Sequence, residues 1–587
     1  MADRPTSSPV NQISSAQSKK KRIQKGTACT ACHSKKRRCD AKRPTCSTCI
    51  RDGEPECVYT ELKLKPRILL LEEKVHDLQA QVDLLQSTAL TRSESTQPHP
   101  LRVTALPMPP GARQHGSTPF PNSVLQAGSG RASQQLRVQS HDHVNPPLGS
   151  WWSTGDPPPS GLITMFTRIF AEQEHQHTHD PRSSEFYASL HDPDPATGPH
   201  PALRNVIFLL ACVHDRARLS HLEPVFLRRT MYHLNHSLAT VDRLSDFIEA
   251  YTLLGLYHIY KGRYFQGVRN AATTILIAAA CGLHVLRPPN WHSDNTPCIL
   301  PPPHSRAEIL SRLRVWWMIF TLNRLGSAAN DIPNDFGDDR IESIWELPPE
   351  SSEYDEASLT TVSSLYIPNS PATYVYNDTA NTLRSKCAAL VERAAHIGFV
   401  APSQPAENTA YWDTFWAIER AIQQVAASLP SMFDEPHFQP GPTRVKVSRG
   451  RGKANPFSVV PHTLICDAAI FLHTKLARTG VVASRDACLD AAHRIMRVVR
   501  QIIQQNMRAV SSYLPVIWAR VFREFGREFD RLKDAGELEK ARMEILPELK
   551  TLARAIRDRI PYFPLARVFI ADLRKQFPSL LEEPGVF

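Results

Sequence analysis

Six of the chain's twelve cysteines lie within 29 residues, spaced Cys29-x2-Cys32-x6-Cys39-x6-Cys46-x2-Cys49-x7-Cys57. The pattern is a quasi-repeat, C-x2-C-x6-C followed by C-x2-C-x7-C. A C-x2-C pair on a tight turn puts two thiolates on one metal, and a third arrives after one short helix. Zinc prefers four tetrahedral ligands, so two ions need eight coordination positions. Six sulfurs supply eight only if two of them bridge. One compact cluster of two Zn²⁺ per chain, held by Cys29, Cys32, Cys39, Cys46, Cys49 and Cys57, is therefore expected. A module of about thirty residues with almost no apolar side chains cannot stabilise itself through a core, so its folding is expected to require the metal.

Charge is distributed as unevenly as cysteine. Residues 1–67 hold 16 Lys+Arg against 6 Asp+Glu, a net of +10, while the whole chain carries +11. A local positive block beside a folded element is the footprint of a nucleic-acid or anionic-surface binder. The N-terminus is polar and has no apolar segment of the kind a secretory signal needs. A reducing compartment is expected, with the other six cysteines (Cys212, Cys281, Cys298, Cys387, Cys466, Cys488) present as thiols.

Between the second and third cysteines stands Lys35-Lys36-Arg37-Arg38, which would offset the net −2 of two Zn²⁺ and six thiolates. With Ala28-Cys29-Thr30-Ala31-Cys32-His33-Ser34 before it, Arg43-Pro44-Thr45-Cys46-Ser47-Thr48-Cys49 after it, and Gly53…Cys57-Val58-Tyr59 at the end, the stretch resembles the fungal Zn2Cys6 binuclear cluster domain. The resemblance implies that Cys29 and Cys46 bridge the two metals. It also implies that a short helix after the second cysteine enters the major groove at a CGG-type triplet. Base contacts then fall on Lys35 and Lys36, with Lys36 preferred, and a phosphate contact falls on Arg38. Arg37, Lys42 and Arg43 complete the expected DNA surface, together with His33, which stands where the family usually has Arg. The chemistry agrees: Lys donates to guanine O6 and N7, and neighbouring cations give salt-dependent phosphate affinity. A zinc module that docks protein or RNA, or a thiolate metal buffer, is the bland alternative; a buffer needs neither the basic run nor fixed unequal spacings.

Ile68, Val75, Val82 and Ala89 fall at heptad position a, and Leu71, Leu78 and Leu85 at d. β-branched residues at a with Leu at d favour a parallel two-stranded coiled coil, so Ile68, Leu71, Val75, Leu78, Val82 and Leu85 are expected to make a homodimer seam. The expected plan is a basic disordered tail at 1–26, ending in Lys19–Arg22 as a nuclear localisation signal. A zinc-cluster DNA-binding module at 27–60, a connector at 61–67, the coiled coil at 68–90 and a disordered Ser/Gln/Pro-rich linker at 91–156 follow. A large, irregular all-α regulatory domain occupies 157–587. The fold class is mostly α throughout.

Helical periodicity in that last region predicts helices at 162–173, 202–218, 223–242, 244–261, 264–281, 307–325, 411–429, 459–478, 484–506, 513–532 and 538–560. Arg314-x-Trp316-Trp317-x-x-Phe320-x-x-x-Arg324, the acidic loop with Asp338-Asp339, and Cys281-Gly282-Leu283-His284 resemble the middle homology domain of fungal zinc-cluster factors. That resemblance implies a regulatory role with a small-molecule or protein effector. Read from the residues alone, the aromatic trio is core before it is a ligand pocket. The tract His175-Gln176-His177-Thr178-His179-Asp180 reads as a solvated loop rather than a metal site. The most apolar stretch, 271–286, is short for a membrane span. No P-loop, nucleophile elbow or dinucleotide fingerprint has a supporting context. The expected function is a dimeric, zinc-dependent, DNA-binding transcription regulator in the nucleus, not an enzyme. The alternative is a partner- or ligand-responsive scaffold whose zinc module docks protein.

Overall fold

The computed structural model describes residues 28–58, 151–152 and 156–587, apart from positions 55, 178–179, 193, 195–196, 293–296, 331, 333, 335, 349–358, 400–408, 439–451 and 508–509. The basic tail, the heptads from Ile68 to Leu85 and most of the expected linker lie outside the described residues. The chain divides into two units, 1–140 and 141–587.

In the first unit the described residues form two single-turn helices, α1 (Thr30–Ser34) and α2 (Ser47–Arg51), each starting one residue after the first cysteine of a C-x2-C pair. Five cysteines form the interior of this module, with Cys57 partly buried against them. Among the described residues of this module there is no apolar core beyond the cysteines.

The second unit is helical, and its described residues contain no strand beyond an isolated bridge between Thr379 and His437. Its first half holds α3 (Ser160–Glu172), α4 (Pro201–His214), α5 (Glu223–Thr240), α6 (Leu244–Tyr260), α7 (Tyr264–Ala280) and α8 (Arg306–Asn330). The second holds α9 (Ala380–Phe399), α10 (Thr409–Ser428), α11 (Pro456–Arg478), α12 (Val482–Gln504), α13 (Leu514–Asp534), α14 (Leu546–Arg557) and α15 (Ala566–Gln576). Starts follow capping chemistry. His200 Nδ1 accepts the Ala202 N–H with Pro201 in the first turn, and Asn455 accepts the Phe457 N–H with Pro456 behind it. Two helices expected to be continuous are broken. The 202–218 segment stops at Asp215, and 538–560 breaks at Ile545, ahead of Pro547, which lacks the N–H an interior position needs.

Two apolar cores result, one mainly from α3–α8 and one mainly from α9–α15, with α8 and α9 contributing to both. Trp316, Trp317 and Phe320 sit fully inside the first. Trp317 stacks on Trp345 at 4.2 Å and donates its indole N–H to the Ile344 carbonyl at 3.2 Å. Arg324 at the end of the same pattern reaches Asp338 and the Phe336 carbonyl, both at 2.8 Å, and so fastens the acidic loop to α8.

Two expectations need correction. The linker does not run to 156: Trp151 is buried, its ring 5.8 Å from that of Phe226, and Arg229 donates to its carbonyl. The histidine tract is not solvated, since His175 and His177 are buried. His177 stacks on Phe170 at 4.4 Å, and its Nε2 lies 3.0 Å from Nε2 of His214. Burial lowers the His214 pKa to about 3, so that ring is uncharged, and one of the two rings donates to the other.

Among the described residues one helix, α11, is long and apolar enough to cross a membrane. Its apolar window is 83% buried against neighbouring helices, which marks it as a core helix. It packs on α9 at Gly398, where an added Cβ would strike the Phe471 carbonyl oxygen. Gly398→Ala is therefore expected to destabilise the body by about 1–3 kcal/mol, read as a lowered denaturation midpoint. An unchanged midpoint would mean that α9 and α11 do not approach as closely as this.

Candidate metal centre and nucleic-acid interface

The two halves of the cysteine module use one backbone device twice. The sulfur of Cys29 accepts the N–H of Cys32 at 3.4 Å, and the sulfur of Cys46 accepts the N–H of Cys49 at 3.3 Å. Each single-turn helix then closes with a six-residue loop, Arg37 N–H to the Cys32 carbonyl at 2.9 Å and Glu54 N–H to the Cys49 carbonyl at 3.0 Å. The residue before each closing donor has a left-handed backbone, Lys36 at φ 49° and Gly53 at φ 62°. Both turns therefore end in a glycine-type helix cap, although the first has a lysine where glycine is favoured. Such a position costs a non-glycine residue about 1 kcal/mol. Lys36→Gly is expected to raise module stability by about that amount while removing the side chain; a loss of stability would contradict this backbone assignment.

These turns gather the six sulfurs. Sγ atoms of Cys29, Cys32, Cys39 and Cys46 lie within 4.8 Å of one another, and so do those of Cys29, Cys46, Cys49 and Cys57. Each tetrad suits one tetrahedral ion, and the two share Cys29 and Cys46, which is the eight-from-six arrangement that the spacing predicts. Burial pushes the thiol of Cys32 up to about 12 and also raises Cys29. The N–H of Cys46 draws Cys57 below the ordinary thiol range. Buried sulfurs crowded to 3.6–3.8 Å cannot all ionise without cations among them, so the donor set fits a dication pair.

Cross-links hold the loops around the sulfurs. Asp40 accepts the Ser47 N–H at 3.0 Å and its hydroxyl at 2.6 Å, and Ser47's hydrogen bonds keep this carboxyl below the usual range. Thr30 donates N–H and hydroxyl to the Val58 carbonyl at 2.9 and 3.1 Å, which joins the two ends of the module.

The basic run is placed differently from the expectation. It does not ride on a helix after Cys32; α1 ends at Ser34 and the run forms its C-terminal cap, where the helix dipole favours cations. Its members do not act alike. Lys35 pairs with Glu54, while Arg37 spans Asp52 and Glu54 with 2.6 Å contacts to each. Lys36 and Arg38 are exposed and have no ion pair among the described residues. Lys42 and Arg43 are exposed on the following loop. His33 falls in α1, but its side chain is outside the described residues. Asp52 and Glu54 were not among the expected site residues. Their signal was available, because a 17-residue offset aligns Lys35 with Asp52, Lys36 with Gly53 and Arg37 with Glu54, one half of the quasi-repeat basic and the other acidic.

This two-tetrad geometry has a counterpart among known families. Residues 27–66 match the fungal Zn(2)-Cys(6) binuclear cluster domain. The cluster domain binds two zinc ions, in keeping with the paired tetrads. A curated protein described as transcription factor FBD3, from Gibberella moniliformis (strain M3125 / FGSC 7600), is 34% identical over 83 residues. The shared stretch is 14% of this chain and 11% of that protein, so the likeness covers only a small part of either. No solved structure matches the chain.

Proposed function

We propose that this protein is a zinc-dependent, DNA-binding transcription regulator whose cluster domain reads a CGG-type triplet in the major groove. The observation that carries the reading is the pairing of a two-metal cysteine core with an outward Lys36 and Arg38 on its rim. All six cysteines are ligands, and Cys29 and Cys46, common to both tetrads, are the bridging thiolates. Lys36 makes the base contact to guanine, and Arg38 contacts phosphate, with Lys42 and Arg43 adding to the electrostatic surface.

The heptads at 68–90 join two chains, so two triplets are read together, and a two-fold dimer presents matching half-sites. The action is nuclear, with the basic tail at 1–26 as the import signal. The helical body is the regulatory part and answers to a small-molecule or protein effector.

Selection of bound sequences from random duplex by the full chain tests the proposal. Enrichment of paired CGG triplets at a constant separation is expected. Enrichment of a single triplet would remove the dimer, and no enrichment at all would remove the readout.

A further inference from the structure

Two features of the cluster domain are unexplained by metal binding or by a row of four DNA-facing cations. The acidic turn at Asp52-Gly53-Glu54 lies against the basic turn Lys35-Lys36-Arg37 that occupies the same place in the other half of the quasi-repeat. Glu54 engages two cations at once, and its side chain is only 14% exposed, against 54% for Lys35 and 28% for Arg37. Arg37 is held as a fork, one terminal nitrogen on Asp52 and the other on Glu54. Lys35 and Arg37 hold the Glu54 carboxyl below the usual carboxylate range.

We infer that Glu54 is a positioning residue that sets the specificity of the DNA interface. It takes Lys35 and Arg37 out of phosphate contact and so leaves Lys36 and Arg38 as the outward cations of the basic run. The inference rests on the DNA-reading function proposed above.

Any cation that reaches the backbone adds affinity for every sequence, because neutralising a phosphate releases condensed counterions. Sequence is read only at base edges. A run of four unrestrained cations would therefore raise binding to wrong and right sites alike. Pairing two of them internally lowers the common background. The Lys35–Glu54 pair and the Arg37 fork also restrain the residues on either side of Lys36, which is itself exposed. The carboxylates of Asp52 and Glu54 also disfavour approach of phosphate to the acidic turn.

The test measures binding of the full, zinc-loaded chain to a duplex with CGG triplets and to a scrambled duplex, over a range of salt. Glu54→Gln is expected to raise affinity for the scrambled duplex roughly five- to tenfold near 0.1 M salt. It should also steepen the slope of log K against log salt by about 0.9–1.8, for one or two released cations, and narrow the ratio between the two duplexes. A purely structural role would weaken both duplexes together, with no steepening; that outcome, or an unchanged slope, overturns the inference.

Lys35→Gln in the otherwise unaltered chain gives an independent reading if Glu54→Gln fails to retain zinc. An unchanged slope supports the inference, since Lys35 is already occupied, and a slope shallower by about 0.9 overturns it. A parent chain that binds both duplexes equally would instead overturn the triplet readout, while the slopes would still decide the role of Glu54.

Discussion

Removal of zinc by a chelator is expected to unfold residues 28–58 and abolish DNA binding while leaving the helical body folded. The module's interior is five buried cysteines with Cys57 beside them, and among the described residues no large apolar side chain is buried there to hold it together without metal. Structural zinc contributes on the order of 10–16 kcal/mol in small metal-folded domains, far more than the surface ion pairs of Lys35 and Arg37 can offer. The body has two apolar cores of its own. Circular dichroism should thus change little on chelation, and amide protection should vanish from the module alone. Acidification should produce the same loss, because protons compete with zinc for the thiolates. A module that keeps its protection after zinc removal would contradict this account.

The second large effect distinguishes shared from unshared cysteines. Replacing Cys39 by Ala leaves the tetrad of Cys29, Cys46, Cys49 and Cys57 intact, and replacing Cys57 leaves that of Cys29, Cys32, Cys39 and Cys46. Each of these variants is expected to retain about one zinc per chain, with weakened folding. Cys29→Ala or Cys46→Ala removes a corner common to both tetrads, and additionally the sulfur that accepts the Cys32 or Cys49 N–H. Such a variant should retain almost no zinc and lose most of the metal's stabilisation, on the order of 10 kcal/mol. Metal content by atomic absorption separates the cases. Equal zinc loss across all six positions would argue against two shared sulfurs.

The metal site was legible in the sequence because ligand spacing and stoichiometry constrain it without knowledge of the fold. Six thiolates for two tetrahedral ions require two shared corners whichever turns supply them. The division of labour in the basic run was only half legible: the 17-residue offset sets an acidic turn opposite it, but charge counting treats Lys35, Lys36, Arg37 and Arg38 alike. Only the fold brings Glu54 against two of them from 17 and 19 positions away.

In the body, amphipathic helices such as α13 stood out, whereas α9 was missed altogether. It is buried on nearly every side, so it has no polar face, and it carries Arg384, Lys386 and Glu392 into the interior. Those charges make it look like a surface segment until their neighbours are seen. Lys386 meets Asp378 at 2.7 Å, Glu392 meets Arg324 at 3.4 Å, and Ser385 meets Thr321 at 3.0 Å. Buried polar groups such as Lys386, Glu392 and Ser385, with partners of their own, defeat a reading based on hydrophobic period. The break at Asp215 was invisible for a related reason, since the apolar pattern continues across it; the break at Ile545 had a signal in Pro547, which the continuing apolar period overrode.

The central claim is that one side chain, Lys36, converts a metal-folded module into a reader of sequence. It is tested most directly by comparing Lys36→Ala with the parent chain on CGG-containing and scrambled duplexes, with zinc content measured on the same samples. The account predicts zinc near two per chain in both proteins, loss of the preference for the CGG duplex in the variant, and residual salt-dependent binding to either duplex. Preference retained by the variant at full zinc occupancy would contradict it.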